Sequence, residues 1–196
     1  DGETHHGVFD ISLIDALPNT VLCEGKDAQE IASLLKTGFN CKKPFFIRYP
    51  RGKLKCNLEE IKPKSIKIGS WEKVNKIGKP KCFILTYGDN VNKVKEKIVC
   101  DKVNYELINC RYIKPLDEKM LDDIAKYKKP IYVYTCDILK GGIGDSILEY
   151  YSKKGIKADV RVIGIDDEFV THGSINELKK SLSIDIDSLF KMIKKK

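Results

Sequence analysis

The sequence predicts an α/β fold: a partial α/β layer followed by a second α/β domain with a mostly parallel sheet. Two observations predict it. Short apolar runs rich in β-branched and aromatic residues recur along the chain, among them Phe45-Phe46-Ile47-Arg48-Tyr49, Cys82-Phe83-Ile84-Leu85-Thr86 and Ile131-Tyr132-Val133-Tyr134. Between them lie segments with helical apolar spacing, opened by capping residues and closed by glycine. Strand and helix alternating in this way predict parallel strands with helices on both faces.

The elements follow in order. Ile11, Leu13, Ile14 and Leu17 form a short helical or turn-like pattern that ends at Pro18-Asn19, and Val21-Leu22-Cys23 reads as a buried strand. Asp27 is placed to cap a helix with Glu30 three residues on, Ile31, Leu34 and Leu35 on one face, and Gly38 at its end. The strand Phe45–Tyr49 then runs into Pro50-Arg51-Gly52. From Lys53 to about Lys79 the periodicity fades, leaving a linker with one expected strand near Ser65 to Ile68. We therefore divide the chain into residues 1–57, a linker over 58–78, and a second domain over 79–196.

In that second domain the strand Cys82–Thr86 precedes a helix faced by Val91, Val94 and Ile98. The strand Tyr105–Asn109 precedes a helix that Asp117 is placed to cap, with Met120, Leu121, Ile124 and Ala125 apolar. Ile131–Tyr134 is the third strand. Gly141-Gly142-Ile143-Gly144 leads into a helix bearing Ile147, Leu148 and Tyr151, stopped by Gly155, and Val160–Ile163 is the fourth strand. Two helices close the chain, one with Ser174 and Glu177 in a capping box, the other carrying Ile186, Leu189, Phe190 and Ile193.

Composition narrows the function. With 196 residues and 42% hydrophobic content the chain can bury a core, and no apolar run approaches the length of a membrane span. The net charge of +8 is spread along the chain, with acidic residues among the lysines, so it describes a solvated surface rather than a nucleic-acid face. Seven cysteines at positions 23, 41, 56, 82, 100, 110 and 136 form no Cys-x-x-Cys pair and sit mostly in apolar runs. They read as buried hydrophobes of a reducing compartment, which predicts a cytoplasmic protein.

The densest polar chemistry lies in Asp1-Gly2-Glu3-Thr4-His5-His6-Gly7-Val8-Phe9-Asp10, an unusual opening that suggests a piece of a longer enzyme. Asp1 and His5 offer a carboxylate and an imidazole four residues apart, suited to one small polar substrate. A loop histidine bonded to backbone is the plainer reading. His6 would point elsewhere in an extended segment. Arg48 and Arg51 lie at the carboxyl end of a strand, where either could hold a phosphate or carboxylate or form an inter-domain ion pair. The glycines at 141, 142 and 144 lack a phosphate-loop spacing and read as close helix packing, and Asp166-Asp167-Glu168 with His172 reads as a solvated turn rather than a metal site.

Taken together these segments are recognisable. Asp1-Gly2-x-Thr4-His5-x-Gly7-x-Phe9-Asp10, Pro18-Asn19, Ile47-Arg48-Tyr49-Pro50-Arg51-Gly52, Arg111 through Asp117, Gly141 through Gly144, and Ile163-Gly164-Ile165-x-Asp167-x-Phe169-x-x-His172-Gly173 occur in the order and spacing seen in one family. The chain resembles the carboxy-terminal portion of the 1-deoxy-D-xylulose-5-phosphate synthases, thiamine-diphosphate enzymes of the transketolase superfamily.

The resemblance implies that residues 1–57 are the second half of a pyrimidine-binding domain and residues 79–196 a transketolase carboxy-terminal domain. It implies a cytoplasmic homodimeric transferase that condenses pyruvate with glyceraldehyde 3-phosphate, loses carbon dioxide and feeds isoprenoid synthesis by the methylerythritol phosphate route. His5 matches the catalytic histidine, Asp1 a substrate-binding aspartate and Arg51 the arginine that binds the acceptor phosphate. Thiamine diphosphate and Mg2+ would be held mainly by an amino-terminal part of the same enzyme, so this chain alone is expected to bind no cofactor and to be inactive. A transketolase, a dehydrogenase E1 beta-type half and a non-catalytic assembly module are the alternatives. Two places depart from the family pattern: Tyr134-Thr135-Cys136-Asp137 replaces a Glu-rich strand end, and Glu24-Gly25 stands where a proline is usual. Both are expected to alter surface contacts of the carboxy-terminal domain more than the chemistry.

Overall fold

The computed structural model describes residues 2–50, 52 and 56–195. Its helices are α1 (Asp10–Asp15), α2 (Ala28–Phe39), α3 (Asn90–Cys100), α4 (Glu118–Ala125), α5 (Ile143–Lys154), α6 (Ile175–Ser181) and α7 (Ile186–Lys194). Its strands are β1 (Val21–Glu24), β2 (Phe45–Arg48), β3 (Glu72–Lys73), β4 (Cys82–Thr86), β5 (Tyr105–Asn109), β6 (Tyr112–Lys114), β7 (Ile131–Ile138) and β8 (Val160–Ile165).

The larger sheet has the order β3-β5-β4-β7-β8, parallel except for β3 at its edge. Side chains alternate across a strand, so both faces of this sheet are apolar and both are covered. Phe83, Leu85, Ile131 and Val133 pack with Leu121 and Ile124 of α4 and Ile143, Ile147 and Tyr151 of α5. On the other face Ile84, Leu107, Tyr132 and Tyr134 pack with Val91, Val94 and Ile98 of α3 and Leu189, Phe190 and Ile193 of α7. The expected sheet with helices on both faces is present.

The smaller sheet has the order β2-β1-β6, with β1 parallel to β2 and antiparallel to β6. β6 was not foreseen as a strand. Three residues carry too little pattern to be read alone, and Tyr112 and Lys114 become a strand by pairing with Cys23 and Leu22, some ninety positions earlier. One apolar cluster accordingly runs through Ile11, Leu22 and Leu34 into Tyr112, Leu121 and Ile147.

Several local expectations need correction. Residues 65–68 form no strand, and the edge strand is instead β3, at 72–73. Nor does α2 stop at Gly38: it continues to Phe39, capped at the start as foreseen by Asp27, whose carboxylate accepts from Glu30 N at 2.8 Å. Leu35 and Leu148, expected on buried faces, are exposed, whereas Leu34 and Ile147 are fully buried. The fading periodicity after residue 53 has a physical cause. Gln29, Ser33 and Thr37, one above another on α2, accept the backbone N–H groups of Lys62, Lys64 and Ile66 at 2.9, 3.2 and 2.9 Å. That segment is held by hydrogen bonds between its backbone and the side chains of α2, with Ile66 packing against the core. Trp71 then anchors it, buried, with its indole N–H donating to Tyr112 O at 2.7 Å.

Candidate active-site loop and its anchor

In the order β5-β4-β7 the chain leaves β4 toward one side and later returns to its other side, so the strand order reverses between β4 and β7. The carboxyl ends flanking such a reversal open a crevice. Tyr87 follows β4 at this place, and Asp137 lies near the end of β7. Here β7 is irregular: Tyr134 pairs with Ile163 and Ile138 with Ile165, so four steps on β7 oppose two on β8. The bulge re-aims its side chains. Thr135 Oγ1 accepts from Asp137 N at 3.1 Å, and the Asp137 carboxylate, 5% exposed, turns into the crevice.

Arg48 fills that crevice from the first part of the chain. β1 and β2 end together, with Glu24 opposite Arg48. Arg48 donates Nη2 to Asp137 Oδ1 at 2.7 Å and Nη1 to Asp137 Oδ2 at 3.2 Å, the paired geometry that suits guanidinium and carboxylate. Nη1 also donates to Glu24 Oε2 at 2.7 Å, Nη2 to Gly7 O at 3.2 Å, and Nε lies 3.6 Å from Asp10 Oδ2. Tyr87 donates its hydroxyl to Asp137 Oδ2 at 2.6 Å and shares a short contact with Thr135 Oγ1. Only glycine fits at position 88: φ is +61°, and an added Cβ would lie 2.1 Å from Glu24 Oε1.

The electrostatics follow from burial. Removal from water pushes the Glu24 carboxyl up to about 7, against the pull of Arg48 and helped by Asp137, Asp89 and Asp10 nearby. Arg48 itself is held further toward its charged form: burial works against the charge, and Asp137, then Glu24, outweigh it. The two directions agree once Asp137 is seen to take two of the guanidinium's hydrogen bonds and Glu24 only one. Tyr87 is raised well above the usual phenol range, first by burial and then by Asp137, so it remains a donor.

The loop so anchored carries His5. His5 is exposed, its Nδ1 lies 2.8 Å from Thr4 Oγ1, and its backbone N–H donates to Gly2 O at 3.2 Å. His6 was expected to point elsewhere in an extended segment; residues 3–5 are a turn, and while His5 is exposed, His6 packs among aromatic side chains. Its ring meets Phe9 edge-on at 5.2 Å and stacks on Phe169 at 6.3 Å, and both ring nitrogens are buried with no hydrogen-bond partner among the described residues. The loop is also pinned along its length. Ile138 N donates to Val8 O at 3.1 Å, Ser12 Oγ to Lys140 O at 2.7 Å, and Lys114 Nζ to Asp15 O and Leu17 O at 2.5 and 2.7 Å.

Of the three site residues named from sequence, Asp1 and Arg51 lie outside the described residues, and His5 stands exposed on the anchored loop. Arg48 forms the inter-domain ion pair that was one of its two readings. Gly144 packs as the plainer reading had it, since a Cβ there would fall 2.4 Å from Val162 Cγ1. Residues 166–168 are exposed, and no cluster of three or more potential metal ligands occurs among the described residues. Gly2 and His172 are brought side by side. The sequence reading missed Glu24, Tyr87 and Asp137 as site-forming residues. Glu24 and Asp137 stand among the departures expected to bear on surface contacts; instead Asp137 is buried, Glu24 is half-buried, and the two meet on Arg48. Tyr87 gave no signal, being one apolar-looking residue after a strand.

Comparison with known proteins agrees with this architecture. The family described as the transketolase C-terminal domain matches residues 69–189, and the transketolase pyrimidine binding domain matches residues 1–57. The chain belongs to the transketolase family. Within it, the sequence is 36% identical over 197 residues to the 1-deoxy-D-xylulose-5-phosphate synthase of Aquifex aeolicus, covering 99% of this chain and 31% of that protein. It is 38% identical over 200 residues to the synthase of Listeria monocytogenes, covering 99% and 32%. The chain thus spans about a third of the length of these curated relatives. Among solved structures, a split-gene transketolase described as an inactive beta4 tetramer superposes with a TM-score of 0.82 at 17% identity, covering 99% of this chain and 63% of that one. The transketolase of Campylobacter jejuni gives 0.72 at 15%, covering 100% and 29%. At such identities the superpositions speak for the fold of this transketolase-family chain, an α/β architecture of mixed sheets with parallel strands.

Proposed function

We propose that this chain is the carboxy-terminal part of a thiamine-diphosphate-dependent synthase that joins pyruvate to glyceraldehyde 3-phosphate, with loss of carbon dioxide, to give 1-deoxy-D-xylulose 5-phosphate. The similarity to such synthases over nearly the whole chain carries the reading. The reaction is a transferase step of isoprenoid precursor synthesis, in a cytoplasmic homodimer. His5 is the catalytic group, able to exchange a proton with the carbonyl and hydroxyl being remade. Its exposure on a pinned loop at the strand ends supports that role. Asp1 is assigned to substrate and Arg51 to the acceptor phosphate.

The cofactor supplies carbanion stabilisation when bound. Magnesium beside a diphosphate takes one or two carboxylates together with phosphate oxygens and water, and the diphosphate itself is held by N–H groups and cations. Among the described residues no group of three or more Asp, Glu, His or Cys side chains that could hold a metal ion occurs. The cofactor's site is assigned to the amino-terminal part of the enzyme, and the isolated chain is expected to be inactive.

The test is turnover by the full-length protein supplied with thiamine diphosphate and Mg2+. Carbon dioxide release that requires both pyruvate and glyceraldehyde 3-phosphate supports the synthase; activity with a ketose donor instead identifies a transketolase, and activity with neither removes the reading. In the synthase, Arg51→Ala should raise the KM for the phosphorylated acceptor with little change in that for pyruvate.

A further inference from the structure

We propose that Asp137 is a positioning residue for the catalytic loop: seated in the crevice between β4 and β7, it fixes Arg48, and Arg48 holds the loop bearing His5 through Gly7 and Asp10. The inference rests on the role given to His5 above.

The connection is short and direct. Gly7 is two residues from His5, and its carbonyl accepts from the same Arg48 nitrogen, Nη2, that donates to Asp137 Oδ1. Moving the guanidinium therefore moves the loop. Asp137 rather than Glu24 sets its place. Asp137 makes two hydrogen bonds to Arg48, and its Oδ2 also accepts from Tyr87 at 2.6 Å and from Thr135 at 3.1 Å. Glu24 makes one, and its carboxyl is raised by burial toward the neutral form. The next residue on β7 repeats the grip through the backbone, Ile138 N to Val8 O. Parallel sheets commonly receive a ligand in such a crevice. This one receives an arginine from the other half of the chain, so the carboxy-terminal domain acts on the reaction by aiming a loop it does not contain. Displacing a reacting group by about 1 Å costs on the order of a hundredfold in rate, so a clamp that holds the loop still has a measurable catalytic effect.

The test uses the full-length protein and three variants: Asp137→Asn, which keeps size and removes charge, Asp137→Glu, which keeps charge, and Asp101→Asn, which breaks a distant ion-pair group with Lys97 and Lys194. Amide hydrogen exchange over residues 5–10 reads the clamp without reference to activity. Asp137→Asn should speed exchange there by about tenfold while the strands β4 and β7 remain protected. It should lower kcat by about 10- to 100-fold while the KM for pyruvate changes by less than about threefold, as expected when a group acting in the transition state is misplaced. Asp137→Glu should recover much of both, and Asp101→Asn should change neither. Unchanged exchange over residues 5–10 in Asp137→Asn overturns the proposal, as does loosening spread evenly over the whole domain. If the wild-type protein makes no 1-deoxy-D-xylulose 5-phosphate, the functional reading falls, and the exchange data still decide whether Asp137 holds the loop.

Discussion

Glu24 shows how one position couples the site to pH. Its carboxyl titrates near 4.5 when unperturbed and at about 7 in the fold. Between those values the native chain retains a proton that the unfolded chain has released, so stability falls as pH rises through this window. The rise amounts to roughly 3 kcal/mol when fully expressed. Glu24→Gln removes the titration. Unfolding free energies from urea titrations between pH 4.5 and 7.5 should then decline less than in the wild type by about that amount, and an unchanged slope would show that Glu24 stays charged. At this scale the sequence was informative about chemistry and silent about partners. His5 stands out as a candidate by its residue type and setting. Asp137 did not, because an aspartate after a strand reads as solvent-facing until a bulge turns it inward.

At the scale of elements, two polar devices hold the joint between the halves. Asp117 caps α4 by accepting from Met120 N at 2.9 Å, and its other oxygen accepts from Trp71 N at 2.8 Å. Asp117→Ala should cost about 1–2 kcal/mol, the usual loss of a helix cap, and should show as a lower melting temperature with faster proteolysis near Trp71. The stripe of Gln29, Ser33 and Thr37 is the second device. Thr37→Val keeps the shape but leaves Ile66 N without its acceptor, at a cost of about 1–3 kcal/mol. Denaturant unfolding measures that loss, and amide exchange at Ile66 locates it. The cap on α4 was legible in the sequence, because a cap bonds three residues away. The stripe was not, because polar residues at every fourth position of a helix usually face water; here a main-chain segment some thirty residues on covers them.

For the whole molecule, β6 pairing with β1 and the apolar cluster common to both parts join them into one structure. The chain should therefore unfold in a single calorimetric transition with an enthalpy of about 140 kcal/mol near 60 °C, from the usual per-residue value. Two separated transitions would show that the parts melt independently. Among the described residues no helix is long and apolar enough to cross a membrane.

The sequence by itself determined the alternation of strand and helix, the capping of α2, α4 and α6, the apolar faces of α3 and α7, and the loop that carries His5. These depend on periods of two and 3.6 residues and on bonds made within one turn, so they are written locally. Only the tertiary structure decided that β6 joins the first sheet, that the segment after residue 58 lies along α2, and that Arg48, Glu24 and Asp137 meet. Each of those pairs positions far apart in the chain, and a buried charge finds its partner through the order in which strands are laid down rather than through its neighbours in sequence.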